Sequence, residues 1–184
     1  MWRKGEDQDL FPGAYRYRRK ENSLGQFHLS RDGRNMAVSV KSYLRQRDGN
    51  FIRVEDCVVP YGDSRYIEGA IELVVDKVLI IGLEDWDLVD QLWAYIATMV
   101  KTLSESDRCS TSFPDQSIQL TFQRQGARTL VSCEVGEVTR RASVRFPEFV
   151  AALRDAGQLF FRKMAELYPA HADAYRQIMK DLGS

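Results

Sequence analysis

One run of residues restricts the fold more than any other: Leu83 to Glu105, LEDWDLVDQLWAYIATMVKTLSE. Trp86, Val89, Leu92, Trp93, Ile96, Met99, Val100 and Leu103 recur three and four apart, which on a helix gathers them into one broad apolar stripe. A helix of about 20 residues, roughly 30 Å long, is expected from Glu84 or Asp85 onward. Asp85 suits the N-cap, and Glu84, Asp85 and Asp87 stand where carboxylates favour the positive end of a helix dipole. On a helix wheel Asp87 and Asp90 oppose the tryptophans. Both indoles should therefore point into a core, and the carboxylates into water.

The flanking segments read as strands. Met36 to Leu44 and Phe51 to Val59 are separated by Arg47-Asp48-Gly49-Asn50, whose Asp-Gly step marks a hairpin. Tyr66 to Val75 alternates Ile67, Gly69, Ile71 and Leu73 with Glu68, Ala70 and Glu72, as a sheet with one wet face requires. Asp76-Lys77 turns the chain into Val78 to Ile81. After the helix, Ser104 to Ser112 reads as a polar loop, followed by a three-stranded meander from Ile118 to Phe146.

Pro147 suits the first turn of a second helix, because its missing N–H has no partner to lose there. Phe149, Val150, Leu153, Phe160, Phe161, Met164, Leu167 and Tyr168 form that helix's stripe, and His171 to Leu182 forms a short third helix after Pro169. The expected class is α+β: a mostly antiparallel β-sheet with two long helices and a short C-terminal helix packed on one face. At 184 residues a single domain is expected over 1–184, with 1–35 as an irregular basic arm.

The 26 basic and 26 acidic residues cancel overall but not locally. Residues 1–50 hold 11 Lys/Arg against 6 Asp/Glu, whereas residues 51–100 hold 3 against 10. Cys57, Cys109 and Cys133 are far apart, with only His28 and His171 to join them. Neither a disulfide framework nor a metal site is expected, and no cofactor. The start, MWRKGEDQDLF, has no apolar run behind its basic residues, and the longest apolar stretch, Val78 to Leu83, falls far short of the ~18 residues of a membrane span. A cytoplasmic location without membrane contact follows as the expectation.

No pattern of a nucleophile beside a base, a phosphate loop or a metal-binding helix occurs. His28 and His171 read as structural or surface residues. Tyr15-Arg16-Tyr17-Arg18-Arg19-Lys20 combines cations for phosphates with aromatics for bases, yet one such cluster in a neutral chain is a small electrostatic footprint, and nucleic acid is not the expected partner. Arg140, Arg141 and Arg145 read as a solvated strand face. The denser feature is acidic: Glu84, Asp85, Asp87 and Asp90 form a candidate partner-binding surface for a basic protein. The same carboxylates would also serve simply to offset a helix dipole.

Trp86 to Ile96, followed by Phe113-Pro114-Asp115-Gln116 and the meander, resembles the immunity proteins of bacterial toxin systems over residues 65–167. That resemblance implies a non-catalytic cytoplasmic protein that neutralises a toxin domain by occluding it, the domain having a basic surface if the acidic group is the docking site. The alternatives are an enzyme using Glu68, Glu72 or His28, and a nucleic-acid contact through Arg16, Arg18 and Arg19.

Overall fold

In the computed structural model, which describes residues 37–183, the chain runs out as β1 (Val38–Arg45) and returns antiparallel as β2 (Phe51–Arg53). Gly49 turns the hairpin at φ 84°, a conformation that costs glycine little, and Asp48 accepts the Asn50 N–H at 3.0 Å. The returning strand is shorter than its apolar content predicts. Val54–Asp56 winds into a 3₁₀ turn, and the chain then leaves the sheet until Ile67. Val54 and Cys57 are buried, so residues that look like the inward side of a strand anchor a turn instead. The expected basic arm, with Tyr15 to Lys20 and His28, lies outside the described residues.

β3 (Glu68–Val75) is the central strand of the first sheet. It pairs with β1 along one edge and, along the other, with β4 (Val78–Ile81) and the two-residue β5 (Asp87–Leu88). The resulting order is β2-β1-β3-β4, with β5 beside β3. Asp76 and Lys77 form the expected two-residue turn, both at positive φ, 45° and 68°, the geometry whose twist matches a hairpin. Gly69 sits where β1, β3 and the next helix meet. A Cβ there would lie 2.2 Å from the Tyr43 carbonyl oxygen and 2.7 Å from the Val89 side chain, so only glycine lets the three approach.

The helix read at 83–105 begins later than expected, as α1 (Val89–Glu105). Leu83–Asp85 is a 3₁₀ turn and Asp87–Leu88 is extended, because its backbone pairs with Glu68 and Gly69 of β3. The two tryptophans consequently part company. Trp93 is fully buried, donates its indole N–H to Ser42 Oγ at 2.9 Å and stacks on Phe160 at 5.7 Å. Trp86 stands outside the helix, half-buried, with the Arg45 guanidinium 4.0 Å above its ring. The expectation of two inward indoles holds for one.

A second sheet follows. β6 (Arg108–Ser112) occupies what reads as a polar loop, and β7 (Ile118–Gln125), β8 (Arg128–Val135) and β9 (Val138–Arg145) complete an antiparallel meander in the order β6-β7-β8-β9. The α+β class holds, but in two antiparallel sheets where one was expected. α2 (Phe146–Leu167) starts with Pro147 in its first turn, and α3 (Ala172–Gly183) follows a 3₁₀ turn at Pro169–His171. The three helices have 17, 22 and 12 residues.

α1 and α2 each pack against strands of both sheets, so their apolar stripes fill one shared core. Phe122 of β7 meets Phe149 of α2 edge to face at 4.8 Å, a favoured aromatic geometry. At Gly157 a Cβ would lie 2.8 Å from Leu182 and 3.2 Å from Trp93, so the missing side chain lets α1 and α3 close on α2.

Candidate functional site

The four acidic residues read as a docking surface have four different fates. Glu84 is exposed and stands 3.6 Å from the Arg140 guanidinium. Asp85 is only 3% exposed; it accepts the Gly82 N–H at 2.8 Å and is clasped by both terminal nitrogens of Arg140. Asp87 is 2% exposed and accepts the backbone N–H groups of Asp115 at 3.1 Å and Gln116 at 3.0 Å. Asp90, half-buried in the first turn of α1, accepts the Tyr175 hydroxyl at 3.1 Å.

The expected water-facing carboxylate surface is therefore corrected. Asp85 ties the first sheet to β9, Asp87 holds the loop before β7, and Asp90 fastens α3. Burial makes each useful in this way, since a buried carboxylate must find donors or remain neutral. Burial raises the Asp90 carboxyl above the ordinary range, against the opposing Tyr175 hydroxyl and Gln91 N–H.

Arg140, grouped with Arg141 and Arg145 as solvated, turns inward to Asp85 and also donates to the Ile80 carbonyl at 3.3 Å. Arg141 and Arg145 are exposed. Glu68 and Glu72, read as alternative catalytic residues, pair with Arg45 and Lys41 at 2.8 Å each. They lie on the sheet face opposite Ser42, the face turned from Trp93, because neighbours along a strand alternate sides. The His171 ring lies 6.0 Å from that of Tyr175, tilted by 52°, and its Nε2 is buried without a hydrogen-bond partner among the described residues. Among the described residues no group of three His, Cys, Asp or Glu is placed to hold a metal ion, and no helix is long and apolar enough to cross a membrane.

Among the described residues, the loop between Cys57 and Ile67 turns several apolar side chains outward. Cys57 and Ile67 are both buried, which fixes its ends. Its middle is fixed too: the Tyr61 N–H donates to Tyr168 Oη at 3.1 Å, and the Tyr168 hydroxyl donates to the Tyr61 carbonyl at 2.8 Å. Asp63 accepts the Arg65 N–H at 2.9 Å, and the Arg65 side chain holds its carboxyl down to about 2.

Between these pins the loop presents apolar side chains to solvent. Val58 is 84% exposed, Val59 51% and Tyr66 63%. Beside them runs a groove of about 450 Å³ lined by Gln46, Arg47, Asp48, Pro60, Tyr61 and Gly62, which continues toward Arg45, Asp63, Tyr66 and Glu68. Single exposed apolar residues are ordinary. Here three stand on one loop held at its ends and middle, so part of the entropy of ordering that loop is already lost.

No family model, no curated protein and no solved structure matches the chain.

The sequence reading missed this surface because Phe51 to Val59 alternates well enough to pass for a strand. The available signal was Pro60-Tyr61-Gly62-Asp63 directly after Val58-Val59: a turn-rich stretch leaves the preceding apolar pair no strand partner.

Proposed function

We propose that this chain is a non-catalytic binding protein of the immunity type, which neutralises a partner protein by covering it. The observation that carries this reading is the pinned loop with Val58, Val59 and Tyr66 outward. Protein interfaces draw most of their energy from a few apolar or aromatic anchors on a rigid support, with arginine enriched beside them. Tyr66 supplies the aromatic anchor, and Arg47 is exposed along the same groove.

The docking surface proposed here differs from the acidic one, and so does the partner. Asp85, Asp87 and Asp90 are engaged within the fold, Glu84 is exposed beside Arg140, and the groove mixes Arg45 and Arg47 with Asp48, Asp63 and Glu68. A strongly basic partner surface is not what this loop complements; an apolar pocket with a mixed-charge rim is.

The test uses the protein product of the adjacent reading frame, titrated with the wild-type chain and with the double variant Val58→Asp, Tyr66→Asp. Loss of two apolar anchors should weaken binding by about 100-fold or more, at roughly 1.4 kcal/mol per tenfold. The melting temperature should not change, because neither side chain contributes to the core. Unchanged affinity removes the loop from the interface. Failure of the wild type to bind that product counts against the immunity reading.

A further inference from the structure

Beneath α2, where β1 meets the 3₁₀ turn Val54–Asp56, lies a cavity of about 10 Å³, close to the smallest that holds one water molecule. Val40, Val54, Ala156, Leu159 and Phe160 give it apolar walls, and Lys41, Ser42 and Glu55 its polar lining; the Lys41 ammonium is taken by Glu72 at 2.8 Å. Glu55 uses one carboxylate oxygen, Oε1, to accept Arg53 at 2.6 Å. The other, Oε2, is buried and accepts nothing from the described residues. Ser42 is buried as well, and its Oγ already accepts the Trp93 indole N–H at 2.9 Å. Its own hydroxyl proton is left to donate, and no direct hydrogen bond joins it to Glu55.

We infer that this cavity is an ordered-water site. One water would accept the Ser42 O–H and donate to Glu55 Oε2, which satisfies both groups at once. A carboxylate oxygen withdrawn from solvent with no donor is costly, and a polar cavity of this size is where a buried water is retained. The water completes a relay from Trp93 N–H through Ser42 to Glu55, joining α1, β1 and the turn that opens the exposed loop. The inference rests on the cavity and on Ser42 and Glu55 within its lining, and holds whether or not the loop binds a partner.

Two measurements on the full chain test it. A crystal structure fine enough to show solvent should contain one water within hydrogen-bond distance of both Ser42 Oγ and Glu55 Oε2. Glu55→Ala, which does not touch the indole, should speed hydrogen exchange of the Trp93 Nε1 proton by about tenfold as the relay opens. Glu55→Gln, which keeps an accepting oxygen, should leave it near the wild-type rate. A dry cavity overturns the inference, and so does a Trp93 exchange rate indifferent to Glu55→Ala. The solvent-density result needs no variant, so it decides the question even if Glu55→Ala does not fold.

Discussion

Asp85, at the end of the turn after β4, and Arg140, on the core-facing side of β9, grip each other across the two sheets, with both terminal nitrogens of the guanidinium on the carboxylate. The carboxylate is almost wholly buried and the guanidinium mostly so. This pair is a charged link between the two sheets, beside the Arg140 donation to the Ile80 carbonyl and the hold of Asp87 on the loop before β7.

Removing either partner strands the other in a site of low polarity. Asp85→Ala is expected to lower unfolding stability by about 3–5 kcal/mol. Replacing both, with Asp85→Leu and Arg140→Met, should restore part of that loss, since apolar pairs often substitute for buried ion pairs. Restoration stays incomplete because the Gly82 N–H also loses its acceptor. Urea denaturation of Asp85→Leu, of Arg140→Met and of the double variant decides it: a loss in the double variant equal to the sum of the two single losses would mean that the two residues do not act together.

Among the described residues Asp87 has no ion-pair partner and is held by backbone amides. Asp87→Ala leaves the Asp115 and Gln116 N–H groups without their acceptor and should cost about 3 kcal/mol, since charged hydrogen bonds contribute roughly 1.5–3 each. Hydrogen exchange should report the damage first at residues 113–117, before the global unfolding midpoint moves. Exchange at those amides that stays at the wild-type rate would contradict the assignment.

The Asp90 carboxyl is raised by burial, so the sign of its linkage is fixed. Its folded-state pKa exceeds the unfolded one, so the folded chain holds the proton more tightly. The stabilisation is full below the unfolded value and is lost as pH rises through the folded value. Asp90→Asn, which keeps an oxygen for the Tyr175 hydroxyl, should therefore melt higher than wild type at neutral pH. The gap should shrink on acidification into the carboxylate range. Thermal melts between pH 3 and 8 would show it, and a gap that widened toward acid would reverse the sign.

Burial also pushes the thiols up, Cys57 and Cys109 to about 11 and Cys133 to about 12. All three are free, and the reactive form is the thiolate. The folded protein at neutral pH should leave a thiol reagent nearly unconsumed over minutes, and urea should release three equivalents. Rapid labelling of any one in the folded state would show that its site opens.

Much of this architecture was legible because the apolar period survives wherever a segment buries one side. Trp93, Ile96, Val100 and Leu103 specified α1, and Phe149, Leu153, Phe160 and Met164 specified α2. The Asp-Gly hairpin and the Asp76-Lys77 turn were equally readable, since their backbone geometry is local. What could not be read was tertiary. Trp86 fits the helical stripe by spacing, but pairing of Asp87 and Leu88 with β3 holds the backbone extended, and helical spacing then carries no meaning there. β6 was hidden because Arg-Cys-Ser-Thr-Ser holds no large apolar residue, and its strand form comes from the neighbouring β7. The acidic residues misled for a related reason: charge predicts exposure only until donors such as Arg140, from 55 residues away, make burial acceptable.

We propose residues 57–67 as the docking edge for a partner protein. Its most direct test is hydrogen exchange of the chain alone and in complex with its protein partner. Slowed exchange concentrated in residues 57–67 and 45–50 on binding is the predicted result. Protection confined to the β6 edge or the outer face of the second sheet, with the loop amides unaffected, would contradict it.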